Sequence, residues 1–137
     1  MKKIAVIDGQ GGRLGALLCE AIKKEALLAE VCGIGTNSVA TAAMLKAGAD
    51  YGATGENPVV VACRDADVIV GPVGIVCADS LLGEITPKMA LAIGGARAEK
   101  LLVPVNRCSI HVVGARQIGM ADAVSEAVTM LKSILQD

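Results

Sequence analysis

Short aliphatic runs alternate with amphipathic stretches along most of the chain. Residues 3–8 form the first run and are rich in Ile and Val. They are followed by apolar residues at helical spacing, such as Leu14, Leu18 and Ile22. A short run of branched residues is typical of a buried strand, and a spacing of three or four is typical of a helix packed on one side. The alternation therefore predicts strands joined by helices, which is the pattern of a parallel α/β sheet.

Residues that begin and end helices mark the limits of these elements. Thr36 or Asn37 can cap one helix, and Thr86 followed by Pro87 combines a cap with a ring that suits the first helical turn. Gly48 follows a predicted helix end. The predicted strands are residues 3–8, 30–34, 50–53, 67–70, 100–105 and 109–114. The predicted helices are residues 12–26, 38–47, 56–64, 75–82, 88–93 and 120–135.

The last two predicted strands are too close together to be parallel neighbours. Only residues 106–108 separate them, and a parallel crossover needs about a dozen residues. We therefore expect a hairpin at the edge of the sheet. The predicted fold is a single domain, residues 1–137, with a three-layer, Rossmann-like, mostly parallel sheet that carries an antiparallel edge hairpin strand.

The composition limits the classes of partner. Lys and Arg number 13 against 14 for Asp and Glu, so the chain lacks the charge excess typical of proteins that bind nucleic acid or anionic membranes. There is one Tyr and no Phe or Trp, which excludes aromatic platforms for stacking single-stranded bases. The longest apolar stretch, residues 68–78, is too short to span a bilayer and contains Gly and Pro. We expect neither nucleic acid nor a membrane as a partner.

Cysteine usage and apolar content predict a location and an assembly. The five cysteines are an odd number without a Cys-x-x-Cys pair, which is typical of reduced thiols. The N-terminus leads directly into a strand and lacks the longer apolar region of a secretory signal. We expect a cytoplasmic protein. Because 53% of the residues are apolar, which is hard to bury in one small monomer, we also expect a homo-oligomer.

The turn after the first strand carries the strongest functional signal. It reads Gly9-Gln10-Gly11-Gly12-Arg13-Leu14-Gly15 and leads into the first predicted helix. Glycines allow a tight turn and a close approach of the backbone to a ligand. The free N–H groups of the first helical turn then face an anion, which the helix dipole favours by about 0.3–1 kcal/mol. The motif predicts a phosphate-bearing nucleotide ligand. Its alternative explanation is that the glycines only pack the helix close to the sheet.

The spacing of Gly9, Gly12 and Gly15 resembles the NAD(P)-binding turn of dihydrodipicolinate reductase and of prephenate and epimerase-type dehydrogenases. The run from Gly11 to Gly15 is particularly similar to the reductase. This resemblance covers about the first 25 residues, and it implies a bound nicotinamide dinucleotide. The lysine- and histidine-rich catalytic segment of the reductase has no counterpart in this chain, so the resemblance does not extend to its reaction.

The end of the second strand is where dinucleotide folds read the ribose. A carboxylate there binds the hydroxyls of NAD, whereas an Arg with small polar residues accepts the 2′-phosphate of NADP. The position holds Gly35, Thr36 and Asn37, and Arg13 can reach it. This favours NADP before NAD and leaves FAD, a mononucleotide and coenzyme A open. Thr36 and Asn37 can equally be ordinary helix caps.

Further loops reach the carboxyl edge of the predicted sheet, where ligands bind in open α/β folds. Gly71 and Pro72 lie in a predicted turn, residues 71–74, after the fourth strand, and the loops at 53–57 and 106–107 are small and polar. The candidate cofactor-binding residues are Gly9, Gln10, Gly11, Gly12, Arg13, Leu14, Gly15, Thr36, Asn37, Gly71 and Pro72.

Catalytic patterns are sparse. A single histidine, His111, excludes a metal site built on paired histidines. Cys108 and His111 would point to opposite faces of a strand. Glu56 and Glu84 lie at junctions between a loop and a predicted helix, where a carboxylate also favours a helix start. The leading hypothesis is therefore a ligand-binding or sensing module. The alternatives are an oxidoreductase whose site is completed in a homodimer, with Glu56, Asn57 or Asn106 at its rim, and a structural subunit with an empty glycine loop.

Several segments along the whole chain resemble a family of short bacterial Rossmann-like proteins of uncharacterised activity. They are Gly35-Thr36-Asn37, Ala53-Thr54-Gly55-Glu56-Asn57, Gly83-Glu84-Ile85-Thr86-Pro87 and Pro104-Val105-Asn106-Arg107-Cys108. This resemblance implies the fold and a bacterial cytosolic setting. It implies no activity.

Overall fold

The computed structural model describes residues 1–105 and 109–136. Five parallel strands form one sheet in the order β3-β2-β1-β4-β5. The strands are β1 (Lys2–Asp8), β2 (Ala29–Gly35), β3 (Tyr51–Thr54), β4 (Val68–Pro72) and β5 (Glu99–Val103). The helices are α1 (Arg13–Lys24), α2 (Ser38–Lys46), α3 (Glu56–Asp65), α4 (Pro87–Gly94) and α5 (Met120–Gln136), with a 3₁₀ turn at Val73–Val76.

The order in which the strands are added to the sheet reverses beside β1. The chain moves outward from β1 through β2 to β3, then crosses back to β4 on the other side of β1. This is the order of the first five strands of a doubly wound Rossmann sheet, in which ligands bind at the carboxyl ends of the strands where the order reverses. The α/β fold predicted from the sequence is confirmed in this form.

Both faces of the sheet are buried by helices. Alternate residues of β1 point to opposite sides, with Ile4 and Val6 facing α1, α2 and α5, and Ala5 and Ile7 facing α3 and α4. Two aliphatic cores result, and each continues across the neighbouring strands. The near absence of aromatic residues is compatible with this arrangement because Ile, Val, Leu, Met and Ala fill both cores.

The prediction of an antiparallel edge hairpin is wrong. Every strand pair of the described residues is parallel, and residues 109–114 form turns and irregular chain. The β-branched residues of this segment suggested a strand, but they do not form a buried face. Val113 is fully exposed and Val112 is 39% exposed, so the segment lacks the apolar packing that would hold it against β5.

The prediction of a helix at residues 75–82 is also wrong. After the 3₁₀ turn, the chain continues through a series of tight turns to Thr86. The backbones of Asp79, Leu81 and Leu82 are in the left-handed region, with φ between 55° and 66°, which ends any right-handed helix. Ile85 is fully buried, and its carbonyl oxygen accepts from the Asp79 N–H at 2.7 Å. The burial of apolar side chains outside helical spacing therefore overrides the local helical pattern.

The prediction that Gly71 and Pro72 lie in a turn is wrong. They are the last residues of β4 and are buried. A Cβ added at Gly71 would overlap the backbone carbonyl oxygen of Ile7 and lie 2.9 Å from Cδ1 of Ile75. The backbone oxygen cannot yield without breaking the pairing of β4 with β1. Glycine is therefore required here by packing within the sheet.

Replacing Gly71 by Ala is expected to lower the free energy of unfolding by about 3 kcal/mol, because the new methyl group overlaps the neighbouring strand. Replacing Gly94 by Ala is the matched control, since an added Cβ there meets nothing within 4 Å. The control variant should be neutral or more stable by up to about 1 kcal/mol. Urea unfolding measures both values, and equal stability of the two variants would contradict this packing argument.

Candidate functional site

The candidate site lies at the carboxyl ends of β1 and β2. Three segments meet there: the glycine loop (residues 9–12), the start of α2 at residues 36–37, and a strap that we define as residues 77–86, between the 3₁₀ turn and α4. Each follows the end of a strand or leads into a helix, so backbone amides are concentrated at this edge.

The glycine loop is shaped by a left-handed residue and by close packing. Gly12 has φ 74° and is the N-cap of α1, and its N–H donates to the carbonyl oxygen of Gly9 at 2.9 Å. A Cβ at Gly12 would lie 2.7 Å from Cα of Ala40 in α2. Gly11, by contrast, is exposed, and a Cβ there meets nothing within 4 Å. The loop thus packs tightly on one side and is open on the other.

Asp8 joins the end of β1 to the first turn of α1. Its carboxylate accepts from the N–H of Gly9 at 2.8 Å and from the N–H of Gly15 at 2.7 Å. The residue is only 6% exposed. Burial raises the pKa of this carboxyl group above its usual range, although the two backbone N–H groups act in the opposite direction. Two amides of the glycine motif are therefore already used by a neighbouring side chain.

Glu84 reaches into the same place from the strap. Its Oε1 accepts from the N–H of Gln10 at 2.8 Å, from the Thr36 hydroxyl at 2.5 Å and from Nδ2 of Asn37 at 2.9 Å. Burial raises the pKa of Glu84, but hydrogen bonds from Thr36, Gln10 and Asn37 together bring it below its usual range. We call this carboxylate and its three donors the Glu84 clasp.

Asn37 connects the three segments. Its Oδ1 accepts from the N–H of Ala40 at 2.9 Å, so it is the N-cap of α2. Its Nδ2 also donates to the carbonyl oxygen of Gln10 at 2.9 Å. The role of an ordinary helix cap, one of the two roles considered for Asn37 from the sequence, is thus present in the structure.

Three amides of the glycine motif have no acceptor among the described residues. They belong to Gly11, Arg13 and Leu14, and the last two are in the first turn of α1, where such N–H groups have no partner within the helix. Arg13 is exposed and makes no ion pair within residues 1–105 and 109–136. Gly11 and Arg13 are exposed, whereas Leu14 is buried, and the start of the helix dipole adds positive potential at this place.

Some of the residues predicted from the sequence are buried or lie outside this site. Gly71 and Pro72 are buried within β4. Glu56 and Asn57 begin α3, which follows β3. Asn106 and Cys108 lie outside the described residues, and His111 is exposed and outside any strand, so the opposite-face argument for Cys108 and His111 does not apply.

Sequence reasoning missed the role of Glu84. It is 48 residues from Thr36 and 74 residues from Gln10, and no motif connects these positions. Its place before Thr86 and Pro87 suggested only a favourable charge near a helix start. The one available signal was the absence of an acid at the end of β2, where Glu84 now places its carboxylate.

Burial raises the pKa of Cys19 to about 12 and of Cys32 and Cys63 to about 11, so these thiols stay protonated at neutral pH. In the part of the chain that the structure describes, no three His, Cys, Asp or Glu residues form a group that could hold a metal ion. No helix among the same residues combines the length and apolar character needed to cross a membrane.

The chain was compared with known families, curated proteins and solved structures. The model of the family described as Domain of unknown function (DUF3842) matches residues 3–136. No curated protein matches. Among solved structures, the chain is similar to a dodecameric FMN-dependent Ubix-like decarboxylase from Escherichia coli O157:H7, with 19% sequence identity, a TM-score of 0.42, and coverage of 98% of this chain and 76% of that chain. A likeness of this degree carries no argument about ligand or assembly.

The two carboxyl groups of the site predict opposite effects of pH on stability. The folded pKa of Glu84 lies below its ordinary value of 4.5, so its contribution is complete above pH 4.5 and is lost as pH falls through the lowered pKa. The folded pKa of Asp8 lies above its ordinary value of 3.8, so its relative contribution is greatest at low pH and declines as pH rises from 3.8 through the raised pKa.

We expect the replacement of Glu84 by Gln to lower the free energy of unfolding by about 1–2 kcal/mol at neutral pH, because three donors lose a charged acceptor. The difference from the wild type should shrink in acid. For the replacement of Asp8 by Asn, the wild-type advantage should instead be larger in acid than at neutral pH. Urea unfolding across this pH range measures both differences, and the same sign of pH dependence for the two variants would contradict the assignment.

Proposed function

The chain belongs to the family described as Domain of unknown function (DUF3842), and we propose that it binds a nucleotide or dinucleotide through phosphate at the glycine loop. The observation that carries this proposal is the group of acceptor-free amides at Gly11, Arg13 and Leu14 within the described residues. They lie at the end of β1, beside the reversal of strand order. Backbone N–H groups at such a helix start are suited to bind phosphate oxygens.

Charge and space support the same proposal. Arg13 is exposed at the first position of α1 and adds a cation beside these amides. Gly11 leaves open space above the loop, so a phosphate can approach the backbone without a Cβ in its path. The resemblance of Gly9, Gly12 and Gly15 to the turn of dihydrodipicolinate reductase favours NADP or NAD. FAD, a mononucleotide and coenzyme A present the same phosphate chemistry.

We assign the protein a binding or sensing role. The carboxylates at this edge, Asp8 and Glu84, are both engaged by hydrogen-bond donors, and neither is free to act as a general base in the structure described. Self-association is part of the same proposal, because Val61, Leu82 and Leu91 expose large apolar side chains. Sedimentation velocity of the purified chain measures its oligomeric state.

The binding proposal is tested by thermal unfolding with NADP, NAD, FAD, ATP and coenzyme A. A ligand present at 100 times its dissociation constant should raise the free energy of unfolding by about 2.7 kcal/mol. Replacing Gly11 by Leu should reduce binding at least about tenfold, a loss of about 1.4 kcal/mol, because the new side chain covers the open amides. The fold should tolerate it, since a Cβ at Gly11 meets nothing within 4 Å.

The matched control replaces Gly94 by Leu, at an equally open position in α4. This control should bind as the wild type does. The absence of any shift with all five compounds would overturn the proposal. Equal binding by the Gly11→Leu variant and the wild type would move the site away from the glycine loop.

A further inference from the structure

The Glu84 clasp has the composition of an occupied anion site. One carboxylate oxygen receives a backbone N–H from Gln10, a hydroxyl from Thr36 and a side-chain amide from Asn37. The donors come from two different loops, and they converge on one atom. Amide and hydroxyl donors of this kind bind phosphate oxygens as well as carboxylates. The protein therefore supplies its own anion to these donors.

The carboxylate also stands in the path of a ligand that crosses the sheet edge. The strap follows β4, on one side of β1, whereas Thr36 and Asn37 follow β2 on the other side. Between them, a Cβ added at Gly9 would lie 2.9 Å from Oε1 of Glu84. The side chain therefore passes directly over the end of β1, at the reversal of strand order. An anionic ligand placed across this edge would meet a negative charge and three donors that are already occupied.

We infer that Glu84 is a built-in competitor of the ligand, and that a phosphate oxygen of the ligand takes over the donors from Gln10, Thr36 and Asn37 when the carboxylate leaves them. This inference rests on the proposed function. It extends the phosphate-binding set from the amides at the start of α1 to these three groups, and it makes the free protein a closed form. The Glu84 side chain is only partly buried, so rotation about its own bonds is enough to release the donors.

The strap has anchors of its own, apart from the clasp. The strap is held by the buried side chains of Leu81 and Ile85 and by a hydrogen bond from the Ser80 hydroxyl to the carbonyl oxygen of Gly74. These anchors do not involve the clasp, so they can keep the strap in place while the Glu84 side chain moves.

The test compares binding of ADP and of inorganic pyrophosphate by the wild type, Glu84→Ala, Glu84→Gln and Glu56→Gln, using isothermal titration calorimetry. Glu56→Gln is the matched control, since Glu56 also lies next to a helix start but makes no hydrogen bond with the clasp. If the open form of the wild type is about a tenth of the molecules, Glu84→Ala should bind ADP about tenfold more tightly, because the apparent dissociation constant scales inversely with the competent fraction.

Hydrogen exchange at the Gln10 amide gives a second readout that does not depend on affinity. In the wild type this N–H should exchange slowly, in ligand-free Glu84→Ala it should exchange faster, and ADP should restore its protection. Glu84→Gln keeps an acceptor of the same shape without the charge, so it remains informative if Glu84→Ala fails to fold. It should bind ADP with an affinity between those of the wild type and Glu84→Ala.

The possible failures are distinct. Equal or weaker ADP binding by Glu84→Ala and Glu84→Gln, with measurable binding by the wild type, would overturn the competitor role and leave the proposed function standing. No binding of ADP, pyrophosphate or the five larger compounds by the wild type or any variant would overturn both. Tighter binding by Glu56→Gln as well would show a general effect of net charge, and it would also overturn the specific role of Glu84.

Discussion

The attachment of helix α1 to the end of β1 depends on the buried carboxylate of Asp8. Its two oxygens hold the N–H groups of Gly9 and Gly15, which fixes the direction in which the chain leaves the sheet. This direction brings Gly12 against Ala40 of α2 and leaves the amides of Arg13 and Leu14 without an acceptor among the described residues. The glycine loop is held further along by Gln10, whose N–H donates to Glu84 and whose carbonyl oxygen accepts from Asn37.

The same edge holds a second carboxylate, Glu84, whose pKa is shifted in the opposite direction from that of Asp8. Asp8 is enclosed by protein, and its charged form is disfavoured by lost hydration, whereas Glu84 is surrounded by donors that favour its charged form. Asp8 is therefore part of the structural framework, whereas Glu84 lies within the candidate site. The exchange that we propose concerns only the second carboxylate, because the donors of Asp8, the N–H groups of Gly9 and Gly15, are separate from those of Glu84.

The sequence predicts the parallel part of this fold well because its signals are local. The strand at residues 3–8, the cap at Asn37 and the pair Thr86 and Pro87 are each specified by neighbouring residues, and each is present in the structure. The errors arise where burial over long distances decides. Residues 109–114 do not form a buried apolar face, and the burial of Ile85 overrides the helical pattern of the strap. Glu84 could not be assigned to the site because its three partners lie 47 to 74 residues away.

The buried thiols divide between the two faces of the sheet. Cys19 lies in the core beneath α1, whereas Cys32 and Cys63 lie in the core beneath α3. Since a protonated, enclosed sulfur does not react with an alkylating reagent, modification of Cys19 and of Cys63 requires a transient separation of α1 and of α3, respectively, from the sheet. The labelling rates of these two cysteines would therefore report how often each helical layer separates from the strands.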